Sequence, residues 1–327
     1  SPMAPRVSIV VPTYRRPHLL ERCLTALCTQ DLGADDYEIV VADDGDDART
    51  RRLVARRAHD TGGRPAIRYV AVTERHGPAA ARNAGWNAAR AEIIAFTDDD
   101  CVPGADWLRS GLAALTPRTA AVWGRIVVPL PPDPTDYERD AAGLQSAGFV
   151  TANCLCRRFA LVDIGGLDEN FTAAWREDSD LYFTLLEGGY SVAAAPQAVV
   201  VHPVRPAPWG ASLRQQRKIL FDALLYKKHR ALYRRCIRKG PPWRYYAILV
   251  LLFAFAAGIA TQRPSLALTA GLLWLALTLQ FFGTRLRDTS RRPLHVIEMA
   301  LTSALIPPLA IFWRLVGALR FRVAFLG

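Results

Sequence analysis

Three consecutive carboxylates, Asp98, Asp99 and Asp100, close an apolar run, Ile93–Phe96, that reads as a strand. Like charges packed this closely repel unless a cation neutralises them. Mg2+ or Mn2+ suits the task, since both take carboxylate oxygens and share them with substrate phosphates. The exit of a parallel strand is also where open α/β sheets gather ligands. Taken alone, the triplet reads more simply as a solvated acidic turn, so its surroundings must decide.

The elements that would position it alternate between strand and helix. Val7–Val11 is a β-branched run that reads as a buried parallel strand and ends at Pro12-Thr13-Tyr14-Arg15-Arg16. Pro17 suits a first helical position, and Leu19, Leu20, Cys23, Leu24 and Leu27 form a helical stripe. Tyr37–Ala42 reads as a second strand running into Asp43-Asp44-Gly45-Asp46-Asp47, and Ile67–Val72 as a third. Gly77-Pro78 opens a helix carrying Arg82 and Asn83 ahead of the triplet's own strand. Short connections between alternating strands and helices predict a doubly wound α/β domain. Beyond it, Trp107–Leu115 and Tyr137–Gln145 read as helices and Ala121–Val128 as a strand. Phe149–Cys156 is extended, Leu181–Leu186 helical, and two short strands, Ser191–Ala195 and Val199–Val201, precede His202.

Charge divides the chain sharply. Residues 1–205 carry 22 arginines, no lysine and 27 acids, whereas residues 206–327 carry 19 cations against 3 acids. A basic rear half interleaved with long apolar runs fits a membrane better than a nucleic acid. Ser212–Lys239 sets apolar positions among many cations, which predicts an interfacial helix on anionic lipid. Trp243–Thr261 and Pro264–Gly283 are nearly uncharged and of bilayer length, so they predict a transmembrane hairpin. Cations before and after that hairpin place both its ends, and the front domain, in the cytoplasm. The third apolar segment, 294–319, contains Glu298, Pro307-Pro308 and Arg314, which predicts a broken re-entrant or interfacial piece. The expected division is therefore 6–205, 206–242 and 243–327. Six cysteines without metal or redox spacing fit a reducing compartment. Ser1-Pro2 before Met3 is set aside as a remnant, and no signal peptide is expected ahead of the first strand.

Ser8–Tyr14, Val40–Gly45, Ala81-Arg82-Asn83, Phe96–Asp100 and Glu177-Asp178 occur in the order that resembles family-2 glycosyltransferases, over residues 6–203. The resemblance implies a GT-A fold (a doubly wound, Rossmann-like mixed sheet), inverting chemistry, and a nucleotide-sugar donor. It implies that Pro12, Thr13 and Tyr14 line the nucleotide pocket, that Asp44 accepts a uracil N–H, and that Arg82 reaches base or diphosphate. Asp43 is structural or shares the role of Asp44, while Asp46 and Asp47 are surface charge. Asp98 would meet ribose or metal, and Asp100 the Mn2+ or Mg2+ that bridges the diphosphate, with His202 as a further metal ligand. Such an ion neutralises the departing nucleotide diphosphate. Inversion needs one base on the acceptor side, and Asp178 matches it, with Glu177 in support. Trp175 could stack on an acceptor sugar. Asp180 stands nearby as a second acceptor candidate, although its helical offset suits a capping or structural role.

One departure matters. The Gln-x-x-Arg-Trp of processive members is absent, and the nearest segment is Leu213-Arg-Gln-Gln-Arg-Lys-Ile219. With so few spans, that argues for one sugar per encounter. The expectation is a membrane-anchored, metal-dependent enzyme moving a sugar from a uridine-linked donor to a lipid-linked or membrane-proximal hydroxyl. Pro129–Gln145 and Gly165–Arg176 are expected to recognise that acceptor. A polyprenyl-phosphate glycosyltransferase is the nearest rival, but an anionic acceptor needs no base. A catalytically silent membrane scaffold would not need the carboxylates, and a nucleotidyltransferase would show a Gly-rich loop with a following Lys.

Overall fold

The β-branched run near the N-terminus becomes the centre of the sheet. In the computed structural model, which describes residues 4–327, β1 (Val7–Thr13) is buried along its whole length, as is β2 (Tyr37–Asp43) beside it. Strands covered on both faces carry continuous apolar runs instead of alternation, and these two do. Ser1–Met3 lie outside the described residues.

Those residues divide into two compact units, one running to Pro129 and resuming at Ala142–Val204, the other comprising Leu130–Ala141 and Arg205–Gly327. In the first unit, α1 (Pro17–Leu27) follows β1, and α2 (Ala48–Asp60) separates β2 from β3 (Ala66–Ala71). Next come α3 (Pro78–Ala88), β4 (Ile93–Thr97), the two-residue β5 (Val102–Pro103), α4 (Trp107–Ala114) and β6 (Ala121–Val127). After α5 (Asp136–Ala141), which belongs to the second unit, the chain returns for β7 (Asn153–Arg157), α6 (Arg158–Ile164), α7 (Glu177–Glu187) and β8 (Val192–Val201). The described strands form one sheet ordered β3-β2-β1-β4-β7-β6-β8-β5. Pairing is parallel from β3 to β4, antiparallel on both sides of β7, parallel between β6 and β8, and antiparallel at β5. The sheet is therefore mixed.

Sequence periodicity missed two elements here. β5 is too short to show a pattern, and α6 follows β7 without a turn signal between them. The two short strands expected before His202 are one, β8, whose pairing with β6 slips at Gly124/Arg125. Asn153 repairs the slip: its amide donates to Arg125 O and Ala198 O, while Trp107 Nε1 donates to its Oδ1 at 2.8 Å.

The second unit departs further from expectation. Ser212–Lys239 is a broken run: α8 (Ala211–Gln215), a 3-10 turn, α9 (Leu220–Lys228), α10 (Arg230–Leu232) and a π turn at Tyr233–Ile237. Leu220 to Leu225 are all buried, including Asp222, which accepts Tyr233 Oη–H at 2.8 Å. The run is therefore a series of short turns in place of the one continuous helix expected. Then come α11 (Trp243–Ala260), α12 (Pro264–Leu286) and α13 (Pro293–Arg320), each long and apolar enough to cross a membrane. The break expected at Pro307-Pro308 is absent: α13 is continuous. Its packed face, with Met299, Thr302, Ser303, Ile306 and Ala310 buried, holds the helix where two backbone donors are missing. Glu298 accepts Gly210 N–H at 2.9 Å, so this apolar segment's acid anchors the entry to α8.

Helix α3 lies close on β1 because it is built from small residues, and a Cβ on Gly85 would overlap Val10 Cγ1. Gly85→Ala should cost ~1–3 kcal/mol by overpacking. Adding Val10→Ala should return part of that loss in denaturant unfolding. A double variant no more stable than Gly85→Ala would show that the helix is positioned otherwise.

Candidate active site

The register of β1 against β4 assembles the site. Val7 lies opposite Ile93, and the same offset carries Thr13 to Asp99, whose Oδ2 accepts the Thr13 hydroxyl at 2.8 Å. Arg16, just beyond β1, completes the grip by donating Nε to Asp99 Oδ2 at 3.1 Å and Nη2 to Oδ1 at 2.5 Å. Asp99 is fully buried, and burial pushes its carboxyl up to about 6 against the pull of Arg16. The middle acid of the triplet is thus a structural pin. Pro12 and Thr13 are buried within β1, so Tyr14, half exposed under the Arg15 guanidinium, is the member of that trio open to solvent.

Asp98 has its own cation. Arg82, on α3 and 3 % exposed, donates Nη2 to Asp98 Oδ1 at 2.8 Å and Nη1 to Glu177 Oε1 at 3.0 Å. One guanidinium thereby joins the end of β4 to the start of α7. Burial alone would disfavour its charge, but Asp98 and Glu177 outweigh burial and raise its pKa. Both of the Arg82 terminal nitrogens are thus engaged by carboxylates of the protein. Two arginines therefore pair with two of the three aspartates.

Asp100 is different. Its Oδ1 lies 3.6 Å from His202 Nε2, brought there because β5 pairs Val102 with Val201 at the end of β8. Arg16 approaches its other oxygen only to 4.0 Å. The Cys101 thiol, pushed well up by burial, remains a protonated neighbour whose Sγ sits 3.7 Å from Asp100 Oδ1. His202 Nδ1 is buried and has no hydrogen-bond partner among the described residues. A carboxylate oxygen and an imidazole nitrogen, together with an orphaned ring nitrogen, fit a divalent ion such as Mn2+ or Mg2+. The thiol does not add to that donor set.

At the other end of Arg82, α7 opens from Arg176, which holds a left-handed φ of 70° and stacks its guanidinium 4.5 Å from the Trp175 ring. A non-glycine residue in that conformation stores strain, a common mark of a functional turn. Glu177 is buried; burial raises its carboxyl, with the adjacent Asp178 charge adding and Arg82 opposing. Asp178 is half-buried and accepts Ser179 N–H at 2.7 Å; desolvation raises it above the usual carboxylate range. Asp180 is 2 % exposed, which leaves Trp175 as the more open of the two acceptor candidates.

Asp44 accepts Gly77 N–H at 2.9 Å through Oδ2 and meets His76 Nδ1 at 2.7 Å through Oδ1. Gly77 is obligatory there: its φ is 110° and a Cβ would stand 2.9 Å from Thr172 O. Asp43 is fully buried and accepts Gly45 N–H, Asp47 N–H and the Tyr69 hydroxyl, so it builds the turn. Asp47 caps α2 and Asp46 pairs with Arg51. Asn83 holds the Gly165–Glu169 loop, donating to Leu167 O and Glu169 Oε1 and accepting Leu167 N–H. Arg16 and His76 escaped sequence reasoning. Arg16 was signalled by two arginines at the exit of the strand beside β4.

A model of glycosyl transferase family 2 matches residues 8–163, and one of glycosyl transferase family group 2 matches residues 137–316. The chain belongs to the family-2 glycosyltransferases. It is 26 % identical to glycosyltransferase AglE of Haloferax volcanii over 229 residues, 66 % of this chain and 72 % of that one. It is 33 % identical over 97 residues to the GalNAc(5)-diNAcBac-PP-undecaprenol beta-1,3-glucosyltransferase of Campylobacter jejuni, covering 29 % of this chain and 30 % of that protein. The mannosyltransferase PcManGT from Pyrobaculum calidifontis, solved with GDP-Man and Mn2+, superposes with a TM-score of 0.60 at 24 % identity. That match spans 92 % of this chain and 87 % of the other, and establishes the GT-A fold. This glycosyltransferase thus combines the mixed sheet with helices apolar enough to span a membrane.

Replacing Arg82 by Met in this glycosyltransferase would strand two carboxylates and should destabilise the fold by ~3–5 kcal/mol. Adding Glu177→Gln should restore part of it in denaturant titrations. A loss below about 1 kcal/mol would mean that other groups satisfy Asp98 and Glu177.

Proposed function

We propose that this glycosyltransferase is a metal-dependent inverting enzyme. It moves one sugar per encounter from a uridine-linked donor to a hydroxyl on a lipid-linked or membrane-proximal acceptor. The observation that carries the reading is the Arg82 bridge, which ties the donor-side Asp98 to the acceptor-side Glu177-Asp178 pair. Asp100 and His202 would hold the divalent ion, Asp98 the ribose or the same ion, and Asp44 with Tyr14 the base. A carboxylate has lone pairs to spare beyond Gly77 and His76, so Asp44 can still accept a base N–H. Mn2+ accompanies GDP-Man in the Pyrobaculum structure, and the name of the Campylobacter relative specifies an undecaprenol-linked acceptor.

Transfer then proceeds from the chain's own groups. Asp178 removes the acceptor hydroxyl proton as that oxygen attacks the anomeric carbon from the face opposite the nucleotide. Glu177 stays pinned to Arg82 and fixes the start of α7, so that Asp178 keeps its aim. Trp175 offers a ring face to the acceptor sugar. The bound ion supplies Lewis-acid stabilisation of the diphosphate that leaves. By the bias of cations around α11 and α12, the catalytic unit works on the cytoplasmic face of the membrane.

Asp178→Asn should lower transfer by about 10²- to 10⁴-fold while leaving nucleotide-sugar binding intact, as measured by thermal stabilisation. Because its carboxyl is raised, wild-type activity should fall, as pH drops, at a value above the ordinary Asp range. Retained transfer to a prenyl phosphate by Asp178→Asn would replace this reading with that of a base-free enzyme. Chelation should abolish both transfer and donor stabilisation, with Mn2+ restoring them in the wild type and failing to do so in Asp100→Ala. Full activity of Asp100→Ala in chelator would end the metal assignment. Stabilisation by GDP-sugars but not UDP-sugars would overturn the uridine assignment.

A further inference from the structure

The second unit contains a cavity of about 280 Å³ bounded by Tyr137, Arg205, Pro206–Pro208, Ala211, Arg214, Gln215 and Lys218. Three of these residues are cationic and none is acidic. Arg214 and Lys218 stand four apart on the run from α8 into its 3-10 turn, a spacing that turns both to one side. Tyr137 and Gln215 add neutral hydrogen-bonding groups. A guanidinium is a planar fork and an ammonium a rotatable point charge, and together they suit a ligand with several anionic oxygens.

The walls are held from behind by one residue. Arg285, at the end of α12, donates Nη2 to Asp136 Oδ2 at 3.3 Å and to Ser212 Oγ at 3.4 Å. Asp136 precedes Tyr137 on α5, and Ser212 follows Ala211 on α8, so a single half-buried guanidinium braces both sides. His295 adds a second brace, its Nε2 lying 3.3 Å from Asp136 Oδ1. Walls fixed before binding reduce the ordering that a ligand must impose. The volume is about nine times the ~30 Å³ of a liquid water, enough for a headgroup but small for a whole glycolipid. The unit that encloses it also carries three helices fit to cross a membrane.

We infer that this cavity binds the phosphate-ester head of a membrane lipid. The assignment deepens the proposed function, on which it rests for its biological meaning: the head bound here would be that of the lipid-linked acceptor. Bulk anionic phospholipid is the other source of the same chemistry.

The test uses the full chain in neutral detergent, with farnesyl diphosphate, phosphatidylglycerol and inorganic pyrophosphate as probes in calorimetry. In Arg214→Ala/Lys218→Ala, affinity for the lipid probe should fall by about tenfold per cation removed. Arg235→Ala, an exposed cation outside the cavity, should stay within about twofold of wild type. Loss confined to farnesyl diphosphate assigns an isoprenoid source, and loss confined to phosphatidylglycerol a bulk-lipid source; either upholds the inference. Equal affinities in wild type and the double variant, or binding of pyrophosphate as tight as that of either lipid, would overturn it. Nucleotide-sugar stabilisation should be the same in all variants, which reports an intact fold. Lipid binding lost in the double variant, with no sugar transfer to any lipid by the wild type, would sink the acceptor reading and spare the cavity. Unchanged transfer to lipid in the double variant would sink the cavity's role alone.

Discussion

Arg82 is the residue on which the site depends. Its guanidinium is buried between two acids far apart in the first unit's sequence, Asp98 after β4 and Glu177 at the start of α7. A buried cation with two carboxylate partners is stable only as a group, because each member is costly without the others. That mutual requirement fixes the separation of the end of β4 from the start of α7. It explains why the N-terminus of a helix bearing three acids in its first turn can sit beside an acidic triplet.

The three consecutive aspartates have three different fates, set by which neighbour each meets. Asp98 is neutralised by α3, Asp99 by the exit of β1, and Asp100 faces the imidazole that ends β8. Their adjacency in sequence suggested one shared function. The backbone instead turns between them, with Cys101 N–H returning to Asp98 O at 3.1 Å, and aims each side chain at a different element. The triplet's charge is thus met in part by the protein's own arginines, Arg16 at Asp99 and Arg82 at Asp98.

Much of the first unit was legible because its signals are local and strong. β1, β2 and β4 are apolar runs buried on both faces, and Pro17 and Pro78 mark helix starts. The motifs that resemble family-2 enzymes all fall at strand exits or helix starts, so order along the chain was enough to indicate the family. What stayed hidden was pairing between distant groups. Nothing in the spacing of Arg16, Arg82 or His76 says which acid each will meet, because sheet order decides that. In the second unit the failures have another cause. Ser212–Lys239 has the composition of one surface helix, yet it folds as several short turns, with Asp222 and Tyr233 satisfying each other where Leu220–Leu225 are buried. Pro307-Pro308 signals a break, yet lateral packing keeps α13 whole.

The two-residue strand β5 has a consequence beyond its delivery of Asp100 to His202. It is the last strand on its side of the sheet, and one of its two residues is Pro103. A sheet edge normally offers unpaired donors and acceptors to any passing strand. Here the edge is too short to template a partner, and the proline removes one of its donors. The segment that brings Asp100 to His202 thus also ends the sheet beside Val200 and Val201.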